Sequence, residues 1–362
     1  MRMFAMMLST ALCLSCCAAA PAPAPADMPL RDVIGVTHST QTYHLTDKDY
    51  LNEGADQVLE FGSRVIKLWA IYPERCYPSK TEWPKYTSLV GIMQTPDFSA
   101  VLAKPFKTYI LVVYSLGRFE HYWRDGCPAE LAQDEERQFH DLSAWLMKTY
   151  RGSGKTFVLQ HWEGDWAIRT SYDPTTDPPE IAFKGMIDWL NARQSGVNRA
   201  RAENPDSDVR VFHAAEVNLV AQSMLQGRPG VVNRVLPNTK LDLVSYSSWD
   251  TLRDRTLFRK ALDFIAENMP DSAAFGAKNV YLGEYGLPEN EVKPEEFQET
   301  IRGTTETALE WGCTYVVYWS LYCNEARKTP VQTTQDNRGV WLIRPDGSRS
   351  WAYGYLRSRM GY

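Results

Sequence analysis

The residues most able to do chemistry in this chain are two glutamates in unusual surroundings. Glu163 lies in HWEGDW, where two tryptophans flank two carboxylates, and Glu284 lies in YLGEYGLP, where an apolar run meets a proline-marked loop. A lone carboxylate at the end of a strand is ordinarily a solvated group or an ion-pair partner. Two carboxylates converging on one cleft divide the work: one protonates a leaving oxygen, and the other attacks or stabilises a carbon that is gaining positive charge. Glu216, in VFHAAE, competes with Glu163 for the proton-donor role, with Glu163 or Asp165 as its helper.

The elements that position these groups are legible from periodicity. Short β-branched and aromatic runs fall at 32–38, 64–70, 108–115, 156–163, 209–216, 241–248, 280–286 and 315–322, and segments with helical spacing of apolar residues separate them. In YLNEGADQVLEFG the residues Leu51, Ala55, Val58, Leu59 and Phe61 share a side, as do Phe139, Leu142, Trp145, Leu146 and Tyr150 in EERQFHDLSAWLMKTY. Nearly all-apolar strands alternating with helices call for a parallel sheet covered by helices. The first run continues as VTHSTQTYH, without the glycine-rich turn of a doubly wound dinucleotide fold. The expected fold is therefore α/β, a single (β/α)8 TIM barrel with elongated βα loops over residues 30–362, with neither a second domain nor an internal repeat.

In such a barrel the site lies at the C-terminal ends of the strands. Those ends supply His38, Trp69, His161, Trp162, Asp165, Trp166, Glu216, Asn218, Tyr246 and Trp319 as candidates for binding a ligand. His161 reads equally as a residue packed under a ligand and as a core histidine. Strict alternation along a strand groups Glu284 with Leu282 and Val280, and Glu163 with His161 and Leu159; if these faces point inward, both carboxylates meet at the barrel mouth.

A glutamate ending strand 4, a glutamate in a G-E-Y-G setting ending strand 7, a tyrosine ending strand 6 and a tryptophan on strand 8 together resemble clan A of the retaining glycoside hydrolases, with its cellulase-like and mannanase-like families. The resemblance spans the whole chain after its leader in architecture and a few residues in motif. It implies Glu163 as acid/base, Glu284 as nucleophile, Tyr246 as the hydrogen-bond partner of that nucleophile and Trp319 as the floor under the sugar. The chain departs from the pattern at Trp162, where the clan has an asparagine that holds the sugar 2-hydroxyl, and Asn218 is the candidate to replace it.

Bulk properties agree with an exported, carbohydrate-handling protein. Of 362 residues, 44% are apolar and 23% charged, as in a globular protein with a real core. The net charge of −5 is spread without a basic cluster and argues against nucleic acid. Twelve tryptophans and nineteen tyrosines offer flat surfaces for stacking on sugars, or a large aromatic core. Residues 1–20 read as a signal peptide, with Leu14-Ser15-Cys16-Cys17 as an alternative lipobox that would anchor the chain to a membrane through Cys16 or Cys17. An Ala/Pro spacer follows over 21–29. The expected location is the periplasm, the cell surface or the medium, and the expected state a monomer.

Four cysteines remain beyond the leader. Cys313 and Cys323 bracket one strand, too far apart at about 3.3 Å per residue to bond, so Cys76 with Cys127 is the preferred bridge. No cofactor and no metal are called for. A metal-dependent barrel hydrolase using His38, His161, Glu163, Glu216 and Glu284 is the alternative chemistry, although no HxH follows strand 1. A carbohydrate-binding barrel that has lost catalysis is the other.

Overall fold

The computed structural model describes residues 28–362 except 41, 79–81 and 119–120. The expected signal peptide or lipobox, with Cys13, Cys16 and Cys17, and the expected spacer up to residue 27 lie outside the described residues. The chain runs β1 (Ile34–His38), α1 (Tyr50–Phe61), β2 (Val65–Trp69), α2 (Pro73–Cys76), α3 (Leu89–Met93), α4 (Pro96–Ala103), β3 (Thr108–Val112), α5 (Ala129–Thr149), β4 (Thr156–Gln160), α6 (Gly164–Ala167) and α7 (Glu180–Glu203). It continues with β5 (Arg210–Val217), α8 (Val220–Gln226), β6 (Leu243–Ser247), α9 (Arg255–Asn268), β7 (Val280–Tyr285), α10 (Pro294–Trp311), β8 (Val316–Tyr318) and α11 (Trp351–Arg359). The strands pair in sequence order, all parallel, and β8 closes on β1, so the expected (β/α)8 barrel is the observed fold.

Local chemistry sets the helix limits. Asp49 caps α1 by accepting from the Asn52 amide, and Gly62, at φ 102°, ends it in a left-handed turn. Asp254 accepts from the amides of Thr256 and Leu257 to start α9. The apolar faces so directed pack on the outside of the sheet, where Val36, Leu68, Leu159, Val244, Leu282 and Tyr318 meet helix residues such as Val58, Leu142, Trp189 and Phe258.

Inside the barrel three layers follow from the two-residue repeat of a strand. The lowest is apolar, with Val65, Ile110, Val158, Ala214, Leu243, Tyr281 and Val317 packed as one cluster. Two residues further along, the same strands carry Lys67, Gln160, Glu216 and Ser245, all buried and hydrogen-bonded to one another around Glu216. Two further again come Trp69, Trp162, Asn218 and Ser247 at the mouth, joined by Trp319, two residues beyond Val317. The apolar layer seals the barrel, and the polar layer forms the floor of the opening.

The cysteine expectation is corrected. All four cysteines of the described residues are free. Cys76 turns its Sγ onto the Ile71 carbonyl (3.3 Å) at the end of α2, while Cys127 lies before α5, near Glu135 and the Asp188 and Lys184 side chains of α7. The two thiols belong to different βα loops, and burial pushes them up to about 12 and about 11.

Candidate active site

Glu284 and Glu163 both reach the mouth of the barrel, but neither arrives by simple alternation. Val280 and Leu282, expected inside, lie on the outer, helix-facing side, and Tyr281 points inward, where its hydroxyl donates to Gln160 across the barrel. Between Leu282 and Glu284 the register slips: Tyr246 of β6 pairs with Leu282, yet the next residue, Ser247, pairs with Glu284. The extra residue is Gly283, and this bulge turns Glu284 inward. Only glycine fits there, since a Cβ would stand 1.8 Å from Ser245 Oγ.

Glu163 lies beyond the end of β4. It occupies the left-handed region (φ 57°, ψ 49°), uncommon for a residue with a side chain, and heads the short helix α6. His161, its expected neighbour on an inward face, is buried on the outer side against Trp189, while Trp162 follows Gln160 inward. The left-handed turn then brings Glu163 to the cleft beside Trp162. Strain of this kind costs of order 1–3 kcal/mol and persists only where surroundings enforce it.

Here the enforcing contacts are explicit. The Glu163 amide donates to Glu216 Oε1 (2.8 Å), and Asn218 Nδ2 donates to Glu163 Oε2 (3.0 Å). Gly164 lets the turn lie directly on β5, where a Cβ would fall 2.1 Å from the Glu216 carbonyl oxygen. Gly164→Ala is therefore expected to lift the turn off β5 and cost about 1–3 kcal/mol of stability. Urea unfolding checks this, and an unchanged midpoint would mean that the turn does not rest on β5.

Glu284, only 2% exposed, accepts from four donors. Oε1 receives Lys67 Nζ (2.8 Å) and Trp162 Nε1 (3.1 Å); Oε2 receives Ser247 Oγ (3.0 Å) and, at longer range, Trp249 Nε1 (3.5 Å). Lys67 Nζ also reaches Glu216 Oε2 (3.2 Å), so one buried ammonium serves two buried carboxylates. Burial and the nearby charge of Glu284 push Glu216 up to about 7, against the opposing pull of Lys67. Burial works against the charge of Lys67, yet its two carboxylate partners raise its pKa above the ordinary value.

The aromatic residues frame this pair. Trp69 meets Trp162 and Trp319 edge-on at 5.7 and 5.6 Å. Trp162 and Glu163 line a cleft of about 370 Å³ with Trp166, Tyr172, His121 and Arg124. On the other side, Trp249 lines a second recess with Arg338 and Glu325.

Several expected binding residues have other partners. Tyr246 lies on the outer face of β6, stacks on Phe258 and places its hydroxyl on Asp250 (2.6 Å) and Thr251 (2.6 Å); the bond to Glu284 expected of it is made by Ser247, one residue on. Asn218, expected to bind a sugar hydroxyl, commits its amide nitrogen to Glu163. Asp165 is buried beneath the cleft, where it accepts from the amides of Asn218 and Val231. His38 is buried between Tyr77 and Tyr322 with Nε2 on the Tyr50 carbonyl (2.7 Å). His161 Nε2 accepts from the Glu216 amide (3.1 Å), and burial drives its pKa down to about 3, so the ring is neutral and braces β5. Among the described residues no three His, Cys, Asp or Glu side chains are grouped to hold a metal ion.

Sequence reasoning missed Lys67, Gln160, Ser245 and Ser247. The signal available was a polar residue at an inward position of an otherwise apolar strand, clearest for Lys67 in RVIKLWA.

Comparison with solved structures matches this architecture over most of the chain. The barrel is similar to GH5_18 from Bifidobacterium longum subsp. longum in complex with Manβ1-4GlcNAc (TM-score 0.57, 14% identity, 90% of this chain and 78% of that one). It is also similar to an exo-β-1,4-mannosidase from Opitutaceae bacterium strain TAV5 (0.56, 12%, 91% and 59%) and to a GH5-4 broad-specificity endoglucanase from Clostridium longisporum (0.54, 10%, 93% and 97%). The fold is that of family 5 glycoside hydrolases. No protein-family model matches the sequence, and no curated protein is similar to it at the level of sequence. The likeness is thus carried by backbone architecture, and the side chains of the site have to be read on their own geometry.

Proposed function

We propose that this protein is a glycoside hydrolase that cleaves O-glycosidic bonds in a β-linked oligo- or polysaccharide, with Glu284 as nucleophile and Glu163 as acid/base. The observation that carries the reading is the pair itself. Glu284 stands at the cleft with every partner a donor, so it is fixed as an acceptor with its oxygens oriented. Glu163 stands half-buried in the cleft beside Trp162, whose indole donates to Glu284, and is steered by Asn218. The endoglucanase and mannosidase activities of proteins with the same barrel support the substrate class.

In the first step a Glu284 oxygen forms a bond to the anomeric carbon as the glycosidic C–O bond breaks, and Glu163 gives its proton to the departing oxygen. Glu284 is then a neutral ester and Glu163 a carboxylate. Water, deprotonated by Glu163, cleaves the ester and restores both groups. Lys67, Trp162 and Ser247 hold the attacking oxygens on line, and the tryptophans at the mouth exclude bulk water and offer faces to the sugar. Glu216 is a weaker candidate for the acid, being fully buried under Glu163 with both oxygens engaged.

The test is hydrolysis of a panel of β-glucans, β-mannans and aryl β-glycosides by wild type and by Glu163→Ala. The variant is expected to lose about 10²- to 10⁴-fold on substrates with poor leaving groups, little on activated aryl glycosides in the bond-breaking step, and to regain turnover with added azide. Proton NMR of the first anomer released reads retention. Equal activity of wild type and variant on every substrate, or inversion at the anomeric carbon, would overturn the assignment. Export through the leader of residues 1–20 belongs to the same proposal, and mass spectrometry of the N-terminus of the protein from expressing bacteria separates a cleaved from a lipid-bearing Cys16 or Cys17.

A further inference from the structure

Glu216 is closed off from solvent and contacts a support of each proposed catalytic group, the backbone amide of Glu163 and the Lys67 ammonium that also holds Glu284. Its side chain is fully buried, on β5, between β4 and β6. Oε1 accepts from the backbone amide of Glu163, and Oε2 accepts from Lys67, whose ammonium also grips Glu284. Gln160 and Ser245 complete the shell of Oε2 at 3.1 Å each. The Glu216 backbone is held in turn, its amide donating to His161 and its carbonyl lying under Gly164.

We propose that Glu216 is a positioning residue that sets the two catalytic carboxylates relative to one another and supplies the counter-charge of Lys67 while Glu284 is esterified. The inference rests on the assignment of Glu163 and Glu284 made above. In the resting site two carboxylates share one ammonium. When Glu284 forms its bond to the sugar its negative charge is lost, and Lys67 would be left as an isolated buried cation but for Glu216. A charge stranded in such a place is costly, so a second carboxylate on Lys67 lowers the energy of the intermediate relative to a site without one. Through Oε1 the same group keeps the left-handed turn closed, so Glu163 stays in place while Glu284 changes charge. The ionisable groups facing Glu216 are Lys67 from β2, His161 and Glu163 from the end of β4, and Tyr281 and Glu284 from β7.

The experiment compares wild type, Glu216→Gln and the double variant Lys67→Met with Glu216→Gln. An amide has one acceptor oxygen and cannot serve the Glu163 amide and Lys67 together. Glu216→Gln is expected to lower kcat by about 10²-fold with KM within about threefold, because misplacement of reacting groups affects the chemical step. The alkaline limb of kcat/KM is expected to move about one pH unit toward acid: removing a negative charge near Glu163 makes its proton easier to lose. A profile that is scaled down but not shifted would overturn the proposal, leaving Glu216 a packing residue.

A second readout needs no turnover. Trp162 and Trp249 donate to Glu284, so ionisation within the cluster changes tryptophan fluorescence. Wild type is expected to show a transition near neutral pH that is lost in Glu216→Gln and, should that variant not fold, in the double variant that removes both buried charges. Persistence of the transition would refute the role of Glu216. Its loss in a protein inactive on every glycan would instead sustain the coupled cluster and refute the glycosidase reading.

Discussion

Glu284→Gln is expected to fold as wild type does, bind glycan and lose about 10⁴- to 10⁶-fold in kcat, the scale of loss when an enzyme is deprived of its nucleophile. The structure says why the fold survives. The amide oxygen can keep Lys67 and Trp162 on the Oε1 side, and the amide nitrogen then faces Ser247, whose hydroxyl can turn from donor to acceptor, so that only the long contact from Trp249 is given up. What is lost is the electron pair that attacks the anomeric carbon. Steady-state kinetics with calorimetric measurement of ligand binding separates the two effects. A fall in kcat of less than about tenfold would remove Glu284 from the nucleophile role.

Lys67→Met carries the largest expected effect on stability. It leaves two buried carboxylates facing one another without a cation, and breaking a buried pair in this way costs about 3–5 kcal/mol. The cost depends on pH. Without Lys67 the burial that raises the folded-state pKa of Glu216 is unopposed by a cation, so the folded chain retains a proton that the unfolded chain has released. Stability then falls as pH rises beyond the ordinary carboxylate range. The destabilisation is expected to be larger at pH 8 than at pH 5, and adding Glu216→Gln is expected to recover a good part of it. Urea unfolding of the three proteins at both pH values measures this; a loss independent of pH would mean that Lys67 acts by filling space. Lys67→Arg is not expected to substitute, because a planar guanidinium does not fit a fully buried position shaped for an ammonium.

The proposed acid/base and nucleophile are supported by very different means, and this bears on how the chain departs from the pattern of clan A. Trp162 occupies the position before Glu163 where the clan carries asparagine, and its indole donates to Glu284 across the mouth. Asn218, one strand further round, orients Glu163. This chain thus places an amide donor on the proposed acid/base and an indole donor on the proposed nucleophile.

How much was legible without coordinates can be judged from particular residues. The barrel was legible because it rests on repeated local facts: eight apolar runs of strand length, helical spacing between them and helix limits set by residues such as Asp49, Gly62 and Asp254. The placing of function at the C-terminal strand ends followed from the fold, and from it the short list that contains Glu163, Glu284, Glu216, Trp162 and Trp319. The period of two also places Trp69, Trp162, Asn218 and Trp319 at the mouth in the structure.

That same period grouped the two central residues with the wrong neighbours. Alternation assigned Val280, Leu282 and Glu284 together to the interior; Val280 and Leu282 face outward, and Glu284 points inward only because of the single extra residue at Gly283. Alternation also grouped Glu163 with His161, whereas the chain leaves the strand at Gln160 and turns left-handed at Glu163. Bulges and left-handed turns are imposed by contacts with other strands, here Ser245 against Gly283 and the Glu216 carbonyl against Gly164, so no local pattern announces them. The pairing of Lys67 with Glu216 and Glu284 is likewise decided in three dimensions. These residues are separated by 149 and 217 positions in the chain, and only closure of the barrel brings β2, β5 and β7 to one ammonium. The sequence by itself determined the barrel, the strand ends that carry the candidate site and the candidate carboxylates, because those depend on burial and periodicity within short segments. The tertiary structure alone decided which way Glu163 and Glu284 point and what holds them, because orientation at a strand end depends on the neighbouring strands.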